Sequence, residues 1–266
     1  MDQTLGPIAG LAIDWNRPWF APWRAPGEQV AERVQTGTPL HDALNAQQGS
    51  PVRFVAQQAL PAAQAYEHFI SASGQCPVRP GLHDFFNGLA WLAMPLAKSR
   101  LNQLQSAQIE VRGVGAVRGP VRDAITLFVE NGALLDAPPP LWGALLERDW
   151  RRLFVDLRPL WREARLLVFG HALLQKLVAP RNELTAHVWR SPMALASVPA
   201  ADAQLAAQLT PALLAAKPFT PLPLLGIPGW SADNQDVCFY DDAQIFRPRR
   251  APERPTTPSL HPRALP

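Results

Sequence analysis

In the segment Leu82-His83-Asp84-Phe85-Phe86-Asn87-Gly88-Leu89-Ala90-Trp91, His83, Asn87 and Trp91 stand at i, i+4 and i+8. On a helix this spacing lines them up in one stripe beside a core face of phenylalanine and leucine. A histidine and an amide at the rim of a core can face a cleft and bind or react there, with Asp84 as a neighbouring candidate. They can equally be satisfied by nearby backbone and side chains. Lys98, Asn102 and Gln105 repeat the pattern on the next helix, where they face either the first stripe or water. Further along, Asp123 falls in the first turn of a helix, where the dipole favours an anion. Arg118 and Arg122 beside it can clamp a phosphate or carboxylate, a task that suits the guanidinium fork. His171 and Gln175 sit one helical turn apart, and His187 lies in an expected strand. His83, Asn87, Arg122, Asp123 and His171 each interrupt an apolar pattern. An isolated polar group there would carry a desolvation cost of about 1–3 kcal/mol, so these five are expected to lie together.

The elements that must position these residues are mostly helical. Helices are expected over 27–35, 39–48, 61–73 and 82 onward, with Pro95 restarting the last as 95–109. Gly119-Pro120 opens another that runs to about Glu130, before Asn131-Gly132 turns the chain. Beyond the triple proline at 138–140, helical segments are expected over 141–150, 153–158, the apolar 162–178 and the alanine-rich 200–216. Strand signals are few and short, at 52–55, 133–135 and 185–189. Trp15, Trp19 and Trp23 recur every fourth residue, but Pro18 and Pro22 argue for an extended arm over 1–26 that the tryptophans anchor. Residues 217–246, rich in proline, are expected to be coil packed on the body. The fold class is therefore mainly α, a single helical domain over 1–246 with a few short strands, an extended N-terminal arm and a disordered C-terminal tail over 247–266.

That tail carries five arginines against the single acid Glu253, a balance of +4 out of a chain total of +3. The body is therefore near neutral, which argues against a specific nucleic-acid partner. No run of about eighteen apolar residues is present, so no membrane span is expected. Asp2 and Pro7 disfavour a secretory signal, and two cysteines cannot build a disulfide framework or a four-cysteine zinc site. These features together suggest a cytoplasmic location. Arginine outnumbers lysine by 22 to 3, which cautions against reading function into each arginine.

Taken as a set, HDFFNGLAW at 83–91, KSRLNQLQ at 98–105, RDAITLFVENGALL at 122–135, FGHALLQKL at 169–177 and TAH at 185–187 resemble a bacterial family known as domain of unknown function 3025. The resemblance covers most of the chain and implies no activity. It implies Asp where Val129 stands and Glu where Gln175 stands. A His-x-x-x-Glu pair on one helical face would bind zinc or iron, whereas Gln175 is neutral, so no metal or other cofactor is expected. His83-Asp84, with His68 upstream and Asp123 downstream, also resembles the metal-dependent HD-type phosphohydrolases. The same dipeptide recurs at His41-Asp42, which weakens that match. The leading expectation is a polar pocket for a small anionic ligand, with catalysis left open. The alternatives are an interaction or scaffold protein whose polar residues knit the helices together, and the phosphohydrolase. Oligomeric state is not legible.

Overall fold

The chain's computed structural model describes residues 13–113, 119–191 and 193–249. Pro18 and Pro22 do not hold the first of these segments extended. Pro18–Trp23 is a 3-10 helix that continues directly into α1 (Arg24–Gln35). Proline suits the first position of a helical turn, where a missing N–H has no intrahelical acceptor to lose. The expected extended arm is thus helical from Pro18 onward, and residues 1–12 lie outside the described residues. Trp19, Phe20 and Trp23 are buried, Phe20 stacks on Phe86 at 5.6 Å, and the Trp23 indole donates to Val168 O.

After α2 (Leu40–Asn45) comes a small βαβ unit: β1 (Arg53–Ala56), α3 (Tyr66–Ser73) and β2 (Gln75–Val78). Gly74 adopts φ 65° to close α3, a left-handed conformation that glycine takes without steric cost. The chain then returns parallel to β1, with Phe54 opposite Cys76. β2 extends past Gly74, where the sequence suggested only the end of a helix.

α4 (Leu82–Ala93) and α5 (Pro95–Arg112) form where Pro80-Gly81 and Pro95 punctuate the sequence. No side chain at the start of α5 caps its free amides. Asp202 does so from α9 (Val198–Gln208), accepting from the N–H groups of Leu96 at 3.0 Å and Ala97 at 2.7 Å. α6 (Gly119–Asn131) runs straight into β3 (Gly132–Asp136). α7 (Pro139–Glu147) leads on to β4 (Arg165–Val168) and α8 (His171–Lys176), so the segment 162–178 is a strand and a helix rather than one helix. A short apolar run fits either element, and here pairing with β3 decides. β5 (Thr185–Arg190), α10 (Pro211–Ala215) and β6 (Phe219–Pro223) complete the order.

The second sheet runs β4-β3-β5-β6. β3 is antiparallel to β4 and parallel to β5, and β6 pairs antiparallel with β5 at the edge. An edge strand tolerates Pro221 and Pro223, which is how part of the expected proline-rich coil joins the sheet. The 200–216 segment also divides, because Thr210 caps a new helix at Pro211. The rest of 217–246 packs on the body. There buried Asn234 donates to Leu225 O and Ile227 O and receives the Arg158 guanidinium. Of the expected disordered tail, residues 247–249 are described, and Arg247 O accepts the Trp150 indole N–H; residues 250–266 lie outside the described residues. Helices dominate, as expected, while the sheets are larger than the sequence suggests. No helix among the described residues is long and apolar enough to cross a membrane.

Asp202 is 2% exposed and serves two amides of the helix that carries Lys98. Replacing it by alanine strands buried donors at about 1–3 kcal/mol, which lowers Tm by about 3–10 °C in a chain of this size. Asp202→Asn, which keeps one acceptor oxygen, should lose less. Thermal melts of Asp202→Ala that overlay the wild type would show that the cap contributes nothing.

Candidate functional site

α8 packs against both α4 and α6. This brings together the first turn of α4, the last turn of α6 and the first residue of α8, carrying His83, Glu130 and His171. The approach is close enough that a Cβ on Gly170 would sit 2.5 Å from Glu130 O and 2.6 Å from Asn131 N. Both obstacles are backbone, so no rotamer change relieves them. The Gly170 N–H meanwhile donates to Gly132 O at 2.8 Å, fixing the turn that delivers His171.

His83 Nε2 lies 3.5 Å from one Glu130 oxygen, and His171 Nε2 lies 3.4 Å from the other. The two imidazoles meet edge to face, with ring centres 4.5 Å apart. Behind His83, Asp84 Oδ1 is 2.8 Å from Nδ1. The Asp84 carboxylate also accepts the backbone N–H of Arg79 at 2.6 Å and two guanidinium N–H groups of Arg79 at 3.1 and 3.2 Å. His171 Nδ1 is buried with no hydrogen-bond partner, which leaves Nε2 as the nitrogen that meets a polar group.

Charge follows from this geometry. The Asp84 and Glu130 carboxylates raise His83 from 6.5 to about 9, so its imidazole is a cation at neutral pH. Burial alone would raise Asp84, but His83 and Arg79 outweigh it and hold the carboxyl at about 2. Burial likewise opposes ionisation of Glu130, and the His171 and His83 imidazoles beside it reverse this and lower its pKa. His171 goes the other way, lowered by burial, and is neutral.

These residues form part of the wall of a cavity of about 390 Å³, which also takes in Tyr66, Asn87, Trp91, Lys98, Asn102 and Gln105. Asn87 is the hub of its far side. Its amide donates to Tyr66 OH at 3.2 Å, and its oxygen accepts from Lys98 Nζ at 2.7 Å. Burial lowers Lys98 to about 8 and raises Cys76, 3.3 Å from the Tyr66 hydroxyl, to about 11.

Of the residues expected from sequence, His83, Asp84, Asn87, Trp91, Lys98, Asn102 and His171 share this cavity. Arg122, Asp123 and His187 do not. Arg122 and Asp123 sit two turns before Glu130 on α6, about 10–12 Å along its axis. Arg122 is buried there with its guanidinium towards Gly113 O, and Asp123 is exposed. His187 lies in mid-strand on β5, opposite Gly132 and Pro221. Arg118, the other half of the expected anion clamp, lies outside the described residues. The phosphohydrolase pattern also disperses: His68 pairs with Ser106 and Glu110, and Asp84 braces His83.

Sequence reasoning missed Glu130, Tyr66 and Arg79. A usable signal existed for Glu130: an acid in the last turn of a helix opposes the dipole and needs a partner. The carboxylate that Gln175 does not supply to His171 comes instead from α6. Among the described residues, His83, Glu130 and His171 are the one group of three His, Cys, Asp or Glu whose ligand atoms all lie within 4.8 Å of one another.

A family model matches residues 52–250, about three-quarters of the chain. The chain belongs to the family described as protein of unknown function (DUF3025). The DUF3025 match begins just before β1 and takes in every residue lining the cavity, while α1 and α2 precede it. No curated protein and no solved structure gives a match to the chain.

Two outcomes are expected of this DUF3025 site. Gly170→Ala forces the α8 start away from α6, which should destabilise the fold by about 1–3 kcal/mol in urea denaturation; an unchanged midpoint would mean that the close approach is dispensable. In chelator-treated protein, a folded His83 value above 6.5 means that its ion pairs stabilise fully below about pH 6.5 and are lost as pH rises through 9. Urea midpoints should therefore fall between pH 6.5 and 9 in the wild type and fall less in His83→Gln. Parallel profiles for the two proteins would contradict the assignment.

Proposed function

We propose that this protein is an enzyme whose chemistry depends on one divalent transition-metal ion held by His83, Glu130 and His171. The observation that carries this reading is the convergence of the three ligand atoms on the cavity wall, from three different helices. Both N···O separations, 3.5 and 3.4 Å, exceed the 2.7–3.2 Å of well-formed N–H···O bonds. They run to the two different oxygens of Glu130, so the carboxylate lies between the two imidazoles without a tight bond to either.

The surroundings support the same reading. A metal-bound histidine characteristically offers its other nitrogen to a carboxylate, which fixes the tautomer and ring orientation. Asp84 does this for His83, and Arg79 in turn holds Asp84. Two imidazoles and one carboxylate suit zinc or ferrous iron. Three protein ligands leave a coordination position for water or substrate, the arrangement of a catalytic rather than a structural centre. Such an ion would supply Lewis-acid chemistry, polarising a substrate oxygen or activating a water. His83 would hold such an ion through Nε2 only as the neutral imidazole, with Nδ1–H donated to Asp84.

The test is to dialyse the protein against Zn²⁺ and count the metal retained, then titrate chelator-treated protein by calorimetry. One equivalent per chain is expected, lost in His171→Ala and Glu130→Gln. Asp84→Asn should weaken affinity about 10–100-fold through the misaligned ring. If Zn²⁺, Fe²⁺ and Mn²⁺ all fail to bind, or if the variants bind as the wild type does, the cluster is a brace between helices and the scaffold alternative takes its place.

A further inference from the structure

The cavity wall holds one cation, Lys98, with no carboxylate of the described residues in contact with it; Glu130 and Glu67, in the same wall, act on it from longer range. Lys98 is 8% exposed, and among the described residues its Nζ meets an uncharged amide oxygen, on Asn87, and the face of the Trp91 ring at 5.1 Å. No carboxylate of the described residues lies within ion-pair distance of it. The other cations of the wall are matched, His83 by Asp84 and Glu130, and Arg79 by Asp84. A buried ammonium without a counter-ion is expensive, because its attraction to a partner must replace lost hydration.

A second observation is independent of the first. Gln105 is 6% exposed, lines the same cavity, and has no hydrogen-bond partner among the described residues. Its amide is not among the fully enclosed polar atoms that lack a partner, so it reaches the open space of the cavity, where water or a ligand can bond to it. Lys98, Asn102 and Gln105 stand at i, i+4 and i+7 of α5 and share one face of it. Asn102 spends an N–H on Glu67 O at 2.9 Å, which anchors the middle of the stripe to α3. The cation and the unpartnered amide are about 10 Å apart along the helix axis.

We infer that the ligand of this cavity is a small organic acid, with one carboxylate seated on Lys98 and an uncharged hydroxyl or amide group bonded to Gln105. A single lysine matches a single negative charge. A phosphate dianion would call for a second cation or an arginine fork; Arg122 is not in the wall, and the guanidinium of Arg79, which is, already pairs with Asp84. Trp91 supplies a flat apolar flank for the carbon skeleton, and a volume of about 390 Å³ suits a molecule of small-metabolite size. The inference rests on the metal-centre reading only for what is done to the ligand; the binding itself needs only the cavity.

The probes are a series of C3 to C6 ω-hydroxy acids, the diols of equal length as neutral controls, and inorganic phosphate. Each is titrated by calorimetry into Zn²⁺-loaded and into chelator-treated protein. At least one hydroxy acid should bind, with its diol and phosphate at least tenfold weaker. Lys98→Met should weaken that acid about tenfold or more, the loss of a charge-assisted hydrogen bond, and Gln105→Leu should weaken it less. Both variants should keep the wild-type Zn²⁺ stoichiometry, which also reports that they fold. Phosphate binding tighter than every acid, no acid binding at all, or acid binding indifferent to Lys98→Met would overturn the assignment. Acid binding without any Zn²⁺ uptake would remove the metal centre and leave this inference standing; Zn²⁺ uptake without acid binding would do the reverse.

Discussion

Everything at the site depends on how closely the start of α8 approaches the end of α6. Gly170 has room only for hydrogen against the backbone of Glu130 and Asn131, and its amide is tied to Gly132 at the head of β3. The same few residues end a helix, begin a strand and admit a second helix. Because backbone rather than flexible side chain sets the spacing, His171 reaches Glu130 in a fixed geometry. Packing of α8 on α4 then adds His83, and the sheet fixes the remainder, with β4 delivering the chain to Gly170.

The charges are arranged so that each carboxylate does double duty. Asp84 joins the turn before α4 to His83, since it takes the Arg79 amide and guanidinium on one side and the imidazole on the other. Glu130 bridges two imidazoles, one a cation and one neutral through burial. Against this compensated wall stands Lys98, carried in on a helix whose N-terminus is capped from α9. The cavity is thus polar on two sides for different reasons. One side is closed by internal pairing, and the other presents a cation held by the Asn87 oxygen with no carboxylate in contact, and an amide with no hydrogen-bond partner among the described residues.

The sequence by itself determined the helices that carry the stripes. Pro80-Gly81, Pro95 and Gly119-Pro120 punctuate α4, α5 and α6, and His83, Asn87 and Trp91, like Lys98, Asn102 and Gln105, share a face because spacing within one helix is a local property. Tertiary structure alone decided which stripes meet. Glu130 is more than forty residues from both histidines, so its place at a helix end signals that it needs a partner without saying which, while Arg122, on the same helix, is carried to its far end and out of the site. β4 and β6 were equally illegible, because an apolar run or a proline-rich edge becomes a strand only when a neighbour offers its hydrogen bonds. Periodicity is written in adjacent residues, whereas partnership across the chain is settled by packing, which no window of sequence contains.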